Sequence, residues 1–409
     1  MDATYTAPPL VDRWRQRALV VGLVVLVVSA VVALLYGPAQ FFRAYLVGFF
    51  FCTGIAVGSL AWLMLQHLSG GGWGLVLRRI LEAATRTLPL LFVLFVPIII
   101  SLFVHGHGHG GSLYEWSDPA VVAGDDALKQ KVRYFLNAPF FIIRGVFYFV
   151  VWGALAYFLN KWSGEQDKTG DPRVRRKMQE LSGPGLLLLG LTVTFAAIDW
   201  GMSLEPHWFS TIYGLIVLAG WGLSALSFAI VVASVLARHE PMTNVFAPSL
   251  FQDFGKLLLA LVMLYAYFSF SQFLIIWSGN LPEEIPFYLR RVRSGWQYVG
   301  LALILFHFAL PFILLLSRNF KRSGRLLSRV AVLMLAMRIL DLIFLFAPAG
   351  YAENEQSHIQ PIDFLTMSGA AVGLGGVWLW YYLGQLRQRP LLPVGAPDLE
   401  KALTVVEHH

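Results

Sequence analysis

Residues 18–36 read ALVVGLVVLVVSAVVALLY, nineteen residues without a single charge. A helix needs about 20 predominantly apolar residues to cross the hydrocarbon core of a bilayer. The stretch therefore predicts a membrane-spanning helix over Ala18–Tyr36. Its apolar run is too long for a signal peptide, and no convincing small-residue cleavage site follows it, so we expect a retained anchor.

Nine further apolar stretches follow, and together the ten predict an all-α polytopic membrane protein. Prolines near the starts of three spans, Pro89, Pro139 and Pro184, lie where a missing N–H costs little. Pro97 and Pro311 lie inside spans and predict kinks. The ten predicted spans are Ala18–Tyr36, Ala44–Gln66, Leu88–Val104, Ala138–Asn160, Gly183–Leu204, Thr211–Leu236, Gly255–Ser278, Gln297–Ser317, Ser328–Ala347 and Phe364–Leu386.

The composition supports this class and excludes several others. Of the 409 residues, 57% are hydrophobic and only 13% are charged, whereas a soluble domain carries about 25% charged residues. The mean hydropathy is +0.64. The single cysteine, Cys52, excludes a disulfide framework, a CxxC metal site, a c-type haem attachment motif and an iron–sulfur cluster with four cysteine ligands.

Basic residues are distributed unequally between alternate connections. With the N-terminus inside, the inner connections hold 21 of the 31 Lys and Arg residues, and the outer connections hold 7. The positive-inside rule then predicts that both termini are cytoplasmic. Most of the net charge of +7 therefore reflects orientation and is not a signal for nucleic-acid binding.

Two of the connections are long. The outer one, 105–137, begins with His105, His107 and His109 alternating with glycine. Three imidazoles on a loop can bind a divalent metal weakly, but with no fourth ligand evident a solvated flexible loop is the favoured interpretation. The inner connection, Lys161–Ser182, is charged and contains glycine and proline, so it predicts a solvated linker.

Ionisable residues inside predicted spans are functional candidates, because each costs roughly 2.5–3.5 kcal/mol to insert. Arg338 and Asp341 lie near the middle of the ninth span, and their i,i+3 spacing places them on one helix face. His307 lies at the centre of the eighth span, and an imidazole ordinarily titrates near neutrality. These residues predict a proton-relay element. The alternatives are a structural ion pair and a hydrogen-bonded helix contact.

The densest polar cluster is the short outer turn between the fifth and sixth spans. Asp199, Glu205 and His207 lie there between aromatic residues. Arg144 in the fourth span is a candidate to pair with Asp199 across the helices. A tight capped turn is the alternative interpretation, but it accounts less well for three ionisable groups together.

The seventh span carries a polar stripe. Tyr265, Ser269 and Gln272 recur at i, i+4 and i+7, and Asp253 and Lys256 stand at the cytoplasmic end of the span. Such a stripe can conduct protons through bound waters, or it can hold two helices together. The sequence leaves both interpretations open.

Long contiguous runs carry a resemblance to a known family. The runs IDWGMSLEPHWFSTIYG (198–214), FGKL (254–257) and YFSFSQFLIIWSGNLPEEIPFY (267–288) closely resemble signatures of the ActF subunit family of bacterial alternative complex III, a family of NrfD/PsrC-like membrane proteins. The loop LYEW (113–116) and the ten-span layout also fit. The resemblance covers nearly the whole chain.

The resemblance implies one integral membrane domain over 1–409. This domain contains two four-helix bundles (44–204 and 211–347), two peripheral helices (18–36 and 364–386) and a cytoplasmic tail (387–409). It also implies a quinol:electron-acceptor oxidoreductase complex in the bacterial plasma membrane. The implied partners are a sister NrfD-like quinol-binding subunit, an iron–sulfur protein, and multihaem and monohaem cytochromes c. This chain is expected to bind neither haem, iron–sulfur cluster nor metal itself.

The leading hypothesis is a non-redox subunit that contributes to proton translocation coupled to quinol oxidation and is not catalytic alone. In the family this subunit is described as a second quinone-binding subunit. The leading hypothesis nevertheless predicts no tight quinone site in this chain. The candidate route joins the outer turn, the stripe, the Arg338–Asp341 pair and the cytoplasmic end of the seventh span. The rival hypotheses are a stand-alone proton-coupled secondary transporter and a passive scaffold subunit. The electron acceptor and the type of quinone stay open.

Overall fold

The computed structural model describes residues 5–105, 111–243, 245–350, 359–396 and 399. Within these ranges every regular element is a helix, and ten long helices run through the fold. They are α1 (Leu10–Leu35), α2 (Pro38–Ser69), α3 (Gly72–Ser101), α4 (Ala138–Thr169), α5 (Pro172–Trp200), α6 (Tyr213–Leu236), α7 (Pro248–Gly279), α8 (Trp296–Leu316), α9 (Gly324–Phe346) and α10 (Pro361–Leu386).

Nine of these ten helices, all but α9, are long and apolar enough to cross a membrane. α9 has 23 residues and is long enough, but it carries four charged residues, Arg325, Arg329, Arg338 and Asp341. The described part of the chain is therefore a helical membrane protein with nine candidate spans. A membrane crossing by α9 and the division into two four-helix bundles stay predictions.

The core is built around α2. In its most apolar stretch 89% of the residues are buried, against 17% in α1. α2 contacts α3, α5, α6 and α10, while α6 also contacts α7 and α9. α2 is therefore the central helix, and α1 lies on the outside.

α1 is held by close backbone contact with α10. A Cβ on Gly22 would lie 2.8 Å from the Cα of Gly376, and one on Gly373 would lie 2.7 Å from the Cα of Leu26. Small residues at membrane helix interfaces allow this close approach. Farther along, Gln40 of α2 donates to Asp363 of α10 at 3.0 Å. The first and last long helices thus form one packed pair on the side of α2.

Pro97, Pro184 and Pro311 lie inside three different long helices. The helix of α3 is interrupted at Phe95, just before Pro97. In α8 a π-helical segment, Leu303–Ala309, precedes Pro311. The two interior prolines thus disturb their helices as predicted. Pro184, however, lies inside α5 and not near its start, so that prediction was wrong.

The predicted solvated linker Lys161–Ser182 is helical, which corrects the sequence interpretation. α4 continues to Thr169 and α5 begins at Pro172. Gly170 ends α4 with φ +62°, a conformation that glycine adopts without strain. Asp171 caps α5 through a 2.8 Å bond from the N–H of Arg173. Helix capping and a single tight turn therefore replace the expected loop.

α3 also begins earlier than predicted. Its first segment, Gly72–Thr85, precedes the predicted span Leu88–Val104 and is an amphipathic helix whose residues are mostly buried. We call the end of the fold near this segment the inner end and the opposite end the outer end, following the predicted orientation. Arg78 and Arg79, two of the basic residues counted above for the inner connections, therefore lie on a buried helix.

The outer connection between α3 and α4 packs onto the turn between α5 and α6. Within 111–137 it forms three short helices, Glu115–Ser117, Pro119–Ala123 and Asp126–Tyr134. Tyr114 OH donates to the carbonyl of Trp200 at 3.1 Å, and Lys131 Nζ donates to that of Pro206 at 2.6 Å. His105 contacts Ser112, while His107 and His109 lie outside the described residues, as does the tail beyond residue 399.

Candidate functional site

Asp341 is at the centre of a buried polar site between α7, α8 and α9. Its Oδ2 accepts a hydrogen bond of 2.6 Å from Tyr265 OH and an ion pair from Arg338, one helical turn earlier on α9. The guanidinium also lies over the ring of Tyr265, 4.9 Å from its centroid. All three side chains are buried. The i,i+3 pair that the sequence predicted is therefore joined by a tyrosine from another helix.

Gly220 of α6 makes room for Arg338. A Cβ at this position would lie 2.5 Å from Nη2 of the guanidinium and 2.6 Å from its Cζ. Real Cβ atoms do not approach so closely, so a larger residue would push the guanidinium away. The absence of a side chain at Gly220 therefore leaves the space on α6 that the guanidinium of Arg338 occupies.

His307 lies beside this pair in the π-helical segment of α8. Its ring centroid is 4.9 Å from that of Tyr265, and its side chain is 5% exposed. Among the described residues its Nε2 has no hydrogen-bond partner. Because Pro311 lacks an N–H, it cannot donate to the carbonyl of His307 as an α-helix requires. The wider π turn that results is typical of functional sites.

The polar stripe of α7 leads from Tyr265 towards the outer end. Ser269 and Gln272 border the same cavity as Tyr265. Gln272 Oε1 accepts from Ser210 Oγ at 2.8 Å, and its Nε2 donates to Tyr288 OH at 3.2 Å. Burial raises the pKa of Tyr288 to about 12, so this hydroxyl keeps its proton at neutral pH. The stripe is thus hydrogen-bonded to the outer turn.

Glu205 of the outer turn forms a buried ion pair. Its Oε1 accepts from Arg291 Nη2 at 2.7 Å, and Oε2 accepts from Arg290 at 3.3 Å. Arg291 also donates to the carbonyls of Phe344 and Leu345 near the end of α9. The turn, the short helix Pro286–Arg291 and α9 are therefore fastened together by one guanidinium.

Asp199 pairs with Arg144, as the sequence suggested. Arg144 donates to both carboxylate oxygens, at 2.7 and 2.8 Å, and Tyr148 OH donates to Oδ2 at 2.6 Å. Asp199 is fully buried. The bidentate geometry holds α4 against α5 near the outer end.

The three ionisable residues of the outer turn do not form one cluster, which corrects the prediction. His207 Nε2 lies 2.9 Å from Asp125 Oδ2 in the outer connection, and both side chains are partly exposed. Asp199 and Glu205 have the separate arginine partners described above. The sequence missed this because the partners come from segments that are distant along the chain.

The polar stripe of α7 does not continue to the inner end of the helix. Asp253 and Lys256 pair with each other at 2.8 Å, and both are exposed. On the turns of α7 between them and Tyr265 the buried residues are Gly255, Leu258 and Val262. An apolar stretch of helix thus separates this surface pair from the site.

A cavity of about 820 Å³ lies beside Asp341, between α7, α8 and α9. Most of its lining is apolar or aromatic. The polar lining residues are Tyr265, Tyr267, Ser269, Gln272, Tyr288, Arg291, Gln297, His307 and Asp341. An apolar cavity with a few convergent polar groups is typical of a binding or transfer site.

Sequence reasoning missed a second buried network at the inner end. Glu82 is fully buried and accepts from Arg78 at 3.0 Å, Arg79 at 2.5 Å and Ser163 at 2.5 Å. Arg79 also pairs with Asp167 of α4. The i,i+3 and i,i+4 spacing from the arginines to Glu82 was the available signal.

The chemistry of the candidate site follows from its groups: a carboxyl with one guanidinium partner, a tyrosine hydroxyl, an imidazole and a polar stripe whose outer member, Gln272, is hydrogen-bonded. Carboxyl, phenol and imidazole groups can each donate or accept a proton. Among the described residues no group of three or more His, Cys, Asp and Glu side chains is arranged to hold a metal ion.

No family model matches this chain, and no curated protein matches it.

Proposed function

We propose that this chain is a cofactor-free, proton-conducting subunit of a quinol:electron-acceptor oxidoreductase of the alternative complex III type. The resemblance of residues 198–214 and 267–288 supports the complex. The buried Tyr265–Asp341–Arg338 site supports the proton role. In this proposal the sister subunit, the iron–sulfur protein and the cytochromes c oxidise quinol, and this chain provides a proton route in the bacterial plasma membrane. Both termini are on the cytoplasmic side.

Asp341 is the group best suited to change its protonation state. Its carboxylate has a single guanidinium partner, so it can take up a proton without breaking a second ion pair. Glu82, in contrast, is held by three arginines and a serine, an arrangement that favours the charged form of a carboxylate. The observation that carries the proposal is therefore the Tyr265–Asp341 bond beside the buried imidazole of His307, whose Nε2 has no partner in the described part of the chain.

The outward half of the route follows groups that can pass a proton. Tyr265, Ser269 and Gln272 line the cavity, and Gln272 is bonded to Ser210 of the outer turn. Hydroxyl groups both donate and accept, as proton relay requires. The inward half does not follow Asp253 and Lys256, because apolar residues separate them from Tyr265.

The test is Asp341→Asn in the complex, reconstituted into vesicles with quinol and an electron acceptor. The substitution keeps the shape of the side chain but removes the titratable carboxyl. We expect the number of protons translocated per electron to fall while subunit composition and quinol oxidation persist. Asp253→Asn, which changes an exposed acid on the same helix bundle, is the matched control and leaves the ratio unchanged.

Three other outcomes separate the rivals. Wild-type proton translocation in Asp341→Asn contradicts the proton role. If the purified variant loses the other subunits, and the complex that survives translocates the normal number of protons per electron, the result favours a passive scaffold subunit. Purification of the wild-type chain as a colourless homo-oligomer that couples solute uptake to protons favours the stand-alone transporter.

A further inference from the structure

The cavity beside Asp341 has the length of one bilayer leaflet. Along α7 it is lined from Val262 to Phe273, a stretch of twelve residues that spans about 16 Å at 1.5 Å of rise per residue. The hydrocarbon core of a bilayer is about 30 Å thick, so one leaflet contributes about half of that. The cavity begins near mid-helix and ends where α7 approaches the outer end.

The cavity opens sideways towards the bilayer. Its rim on α7 includes Tyr267 and Phe270, which are 64% and 61% exposed, and its rim on α8 includes Leu301 and Ile304, which are 50% and 61% exposed. Large apolar side chains exposed on a membrane-spanning surface face lipid. A bilayer hydrocarbon chain can therefore enter between α7 and α8 without crossing a polar barrier.

The outer end of the cavity lies at the level where headgroups are expected. Trp277 near the end of α7 and Tyr298 near the start of α8 are both exposed, and such aromatics concentrate at the membrane interface. The cavity lining there includes Val292 and Gln297. Arg293 follows Val292 directly and is exposed.

Arg293 and Gln297 offer donors for a phosphate. A guanidinium binds phosphate oxygens through charge-assisted hydrogen bonds. Gln297 Oε1 already accepts from the N–H of Gly295 at 2.9 Å, so the N–H groups of its amide are the side that faces a further ligand. The long apolar cavity matches an acyl chain of a phospholipid, and the basic residue at its outer end matches the phosphate.

We propose that a phospholipid of the outer leaflet occupies this site, with one acyl chain in the cavity and its phosphate at Arg293 and Gln297. The chain closes the lipid-facing side of the Asp341 site against water. Protons at Asp341 are then confined to the side-chain route and do not leak along the protein–lipid boundary. The sealing role rests on the proposed proton function, whereas the phospholipid site itself does not depend on it.

The test measures phospholipid retained by the full chain, purified with its partners in mild detergent, by native mass spectrometry. After delipidation, dioleoyl phosphatidylglycerol is added back. We expect one tightly retained phospholipid per wild-type chain. Gly300→Leu should strongly reduce retention, because a Cβ there meets only the ring of Phe344 at 3.6 Å and the side chain then takes up part of the space for the acyl chain.

Two further variants complete the design. Arg293→Ala keeps the cavity but removes the phosphate partner, and it should weaken lipid rebinding about tenfold. Gly153→Leu makes the same glycine-to-leucine change on α4, where a Cβ meets nothing within 4 Å. It should retain lipid like the wild type.

The proposal is overturned if the wild type retains no phospholipid, or if Gly300→Leu and Arg293→Ala both retain it like the wild type. It is also overturned if organic extraction yields one quinone per chain that Gly300→Leu removes, since the occupant is then a quinone. Should Gly300→Leu fail to fold, the Arg293→Ala rebinding measurement decides alone. None of these results changes the proton-per-electron measurement on Asp341→Asn.

Discussion

Tyr265 donates its hydroxyl hydrogen to Oδ2 of Asp341 at 2.6 Å and thereby ties α7 to α9. The same arrangement occurs between α4 and α5, where Tyr148 donates to Asp199 at 2.6 Å. Each acid also pairs with one arginine. The two sites differ in their surroundings, because Asp341 borders the large cavity and Asp199 is not among the residues that line it.

Tyr265→Phe and Tyr148→Phe test whether the cavity makes this difference. Each variant removes one interhelical hydrogen bond, and we expect each to lower stability by about 1 kcal/mol. Only Tyr265→Phe should also lower the number of protons translocated per electron. Thermal unfolding and vesicle proton uptake are measured on both. Equal proton ratios in the two variants would show that the tyrosine beside Asp341 has no special role.

Gly220→Ala should displace the guanidinium of Arg338. Its Cβ would lie 2.5 Å from Nη2, and overpacking of this kind typically costs about 1–3 kcal/mol. We expect lower thermal stability together with reduced proton translocation. Gly222→Ala, two residues along α6, is the control, because its Cβ meets no atom closer than 3.9 Å. Similar losses in both variants would point to a general effect on α6.

The Arg144–Asp199 pair should behave as one unit in a double-mutant cycle. Arg144→Met leaves a buried carboxylate unpaired and should cost about 3–5 kcal/mol of unfolding free energy. Adding Asp199→Asn should recover part of that loss, giving a coupling energy of about 0.5–3 kcal/mol. Thermal unfolding of the purified complex measures all three variants. Strictly additive effects would mean that the bidentate contact contributes nothing specific.

The inner network around Glu82 is predicted to be structural. Glu82→Gln leaves Arg78 and Arg79 short of a counter-charge in a buried position, so we expect a loss of about 3–5 kcal/mol and a low yield of complex. The complex that does assemble should translocate protons normally. A variant that assembles in full but no longer translocates protons would assign Glu82 to the route. Asp253→Asn, on the exposed surface, should stay within about 0.5 kcal/mol of the wild type.

The helices could be predicted from the sequence because hydrophobicity and proline act locally. The break at Phe95 and the π segment before Pro311 follow from a missing N–H, which needs no knowledge of neighbours. The helical ends of α4 and α5 were missed because a charged Gly/Pro-containing stretch is also what a loop contains. In this stretch the side chain of Asp171 caps the start of α5, and this cap favours a helix over a loop.

The candidate site could be predicted only in part. The Arg338–Asp341 pair follows from spacing within one helix, but its bond to Tyr265 depends on how α7 packs against α9. The outer turn shows the same limit, because Glu205 is paired with Arg291 and His207 with Asp125 through contacts between distant segments. Periodicity places a side chain on a helix face, and only packing selects the neighbour that it meets.

The glycine contact between α1 and α10 has a consequence for synthesis. Gly22 and Gly376 meet at backbone distance, although they are 354 residues apart along the chain. Because α1 is synthesised before α10, it waits in the lipid with its small-residue face uncovered until α10 has been inserted. Contacts so distant along the chain form late and slowly. Docking of α1 is thus a natural last step in assembly, and damage to that glycine face would leave the core of α2 to α9 folded but its flank open.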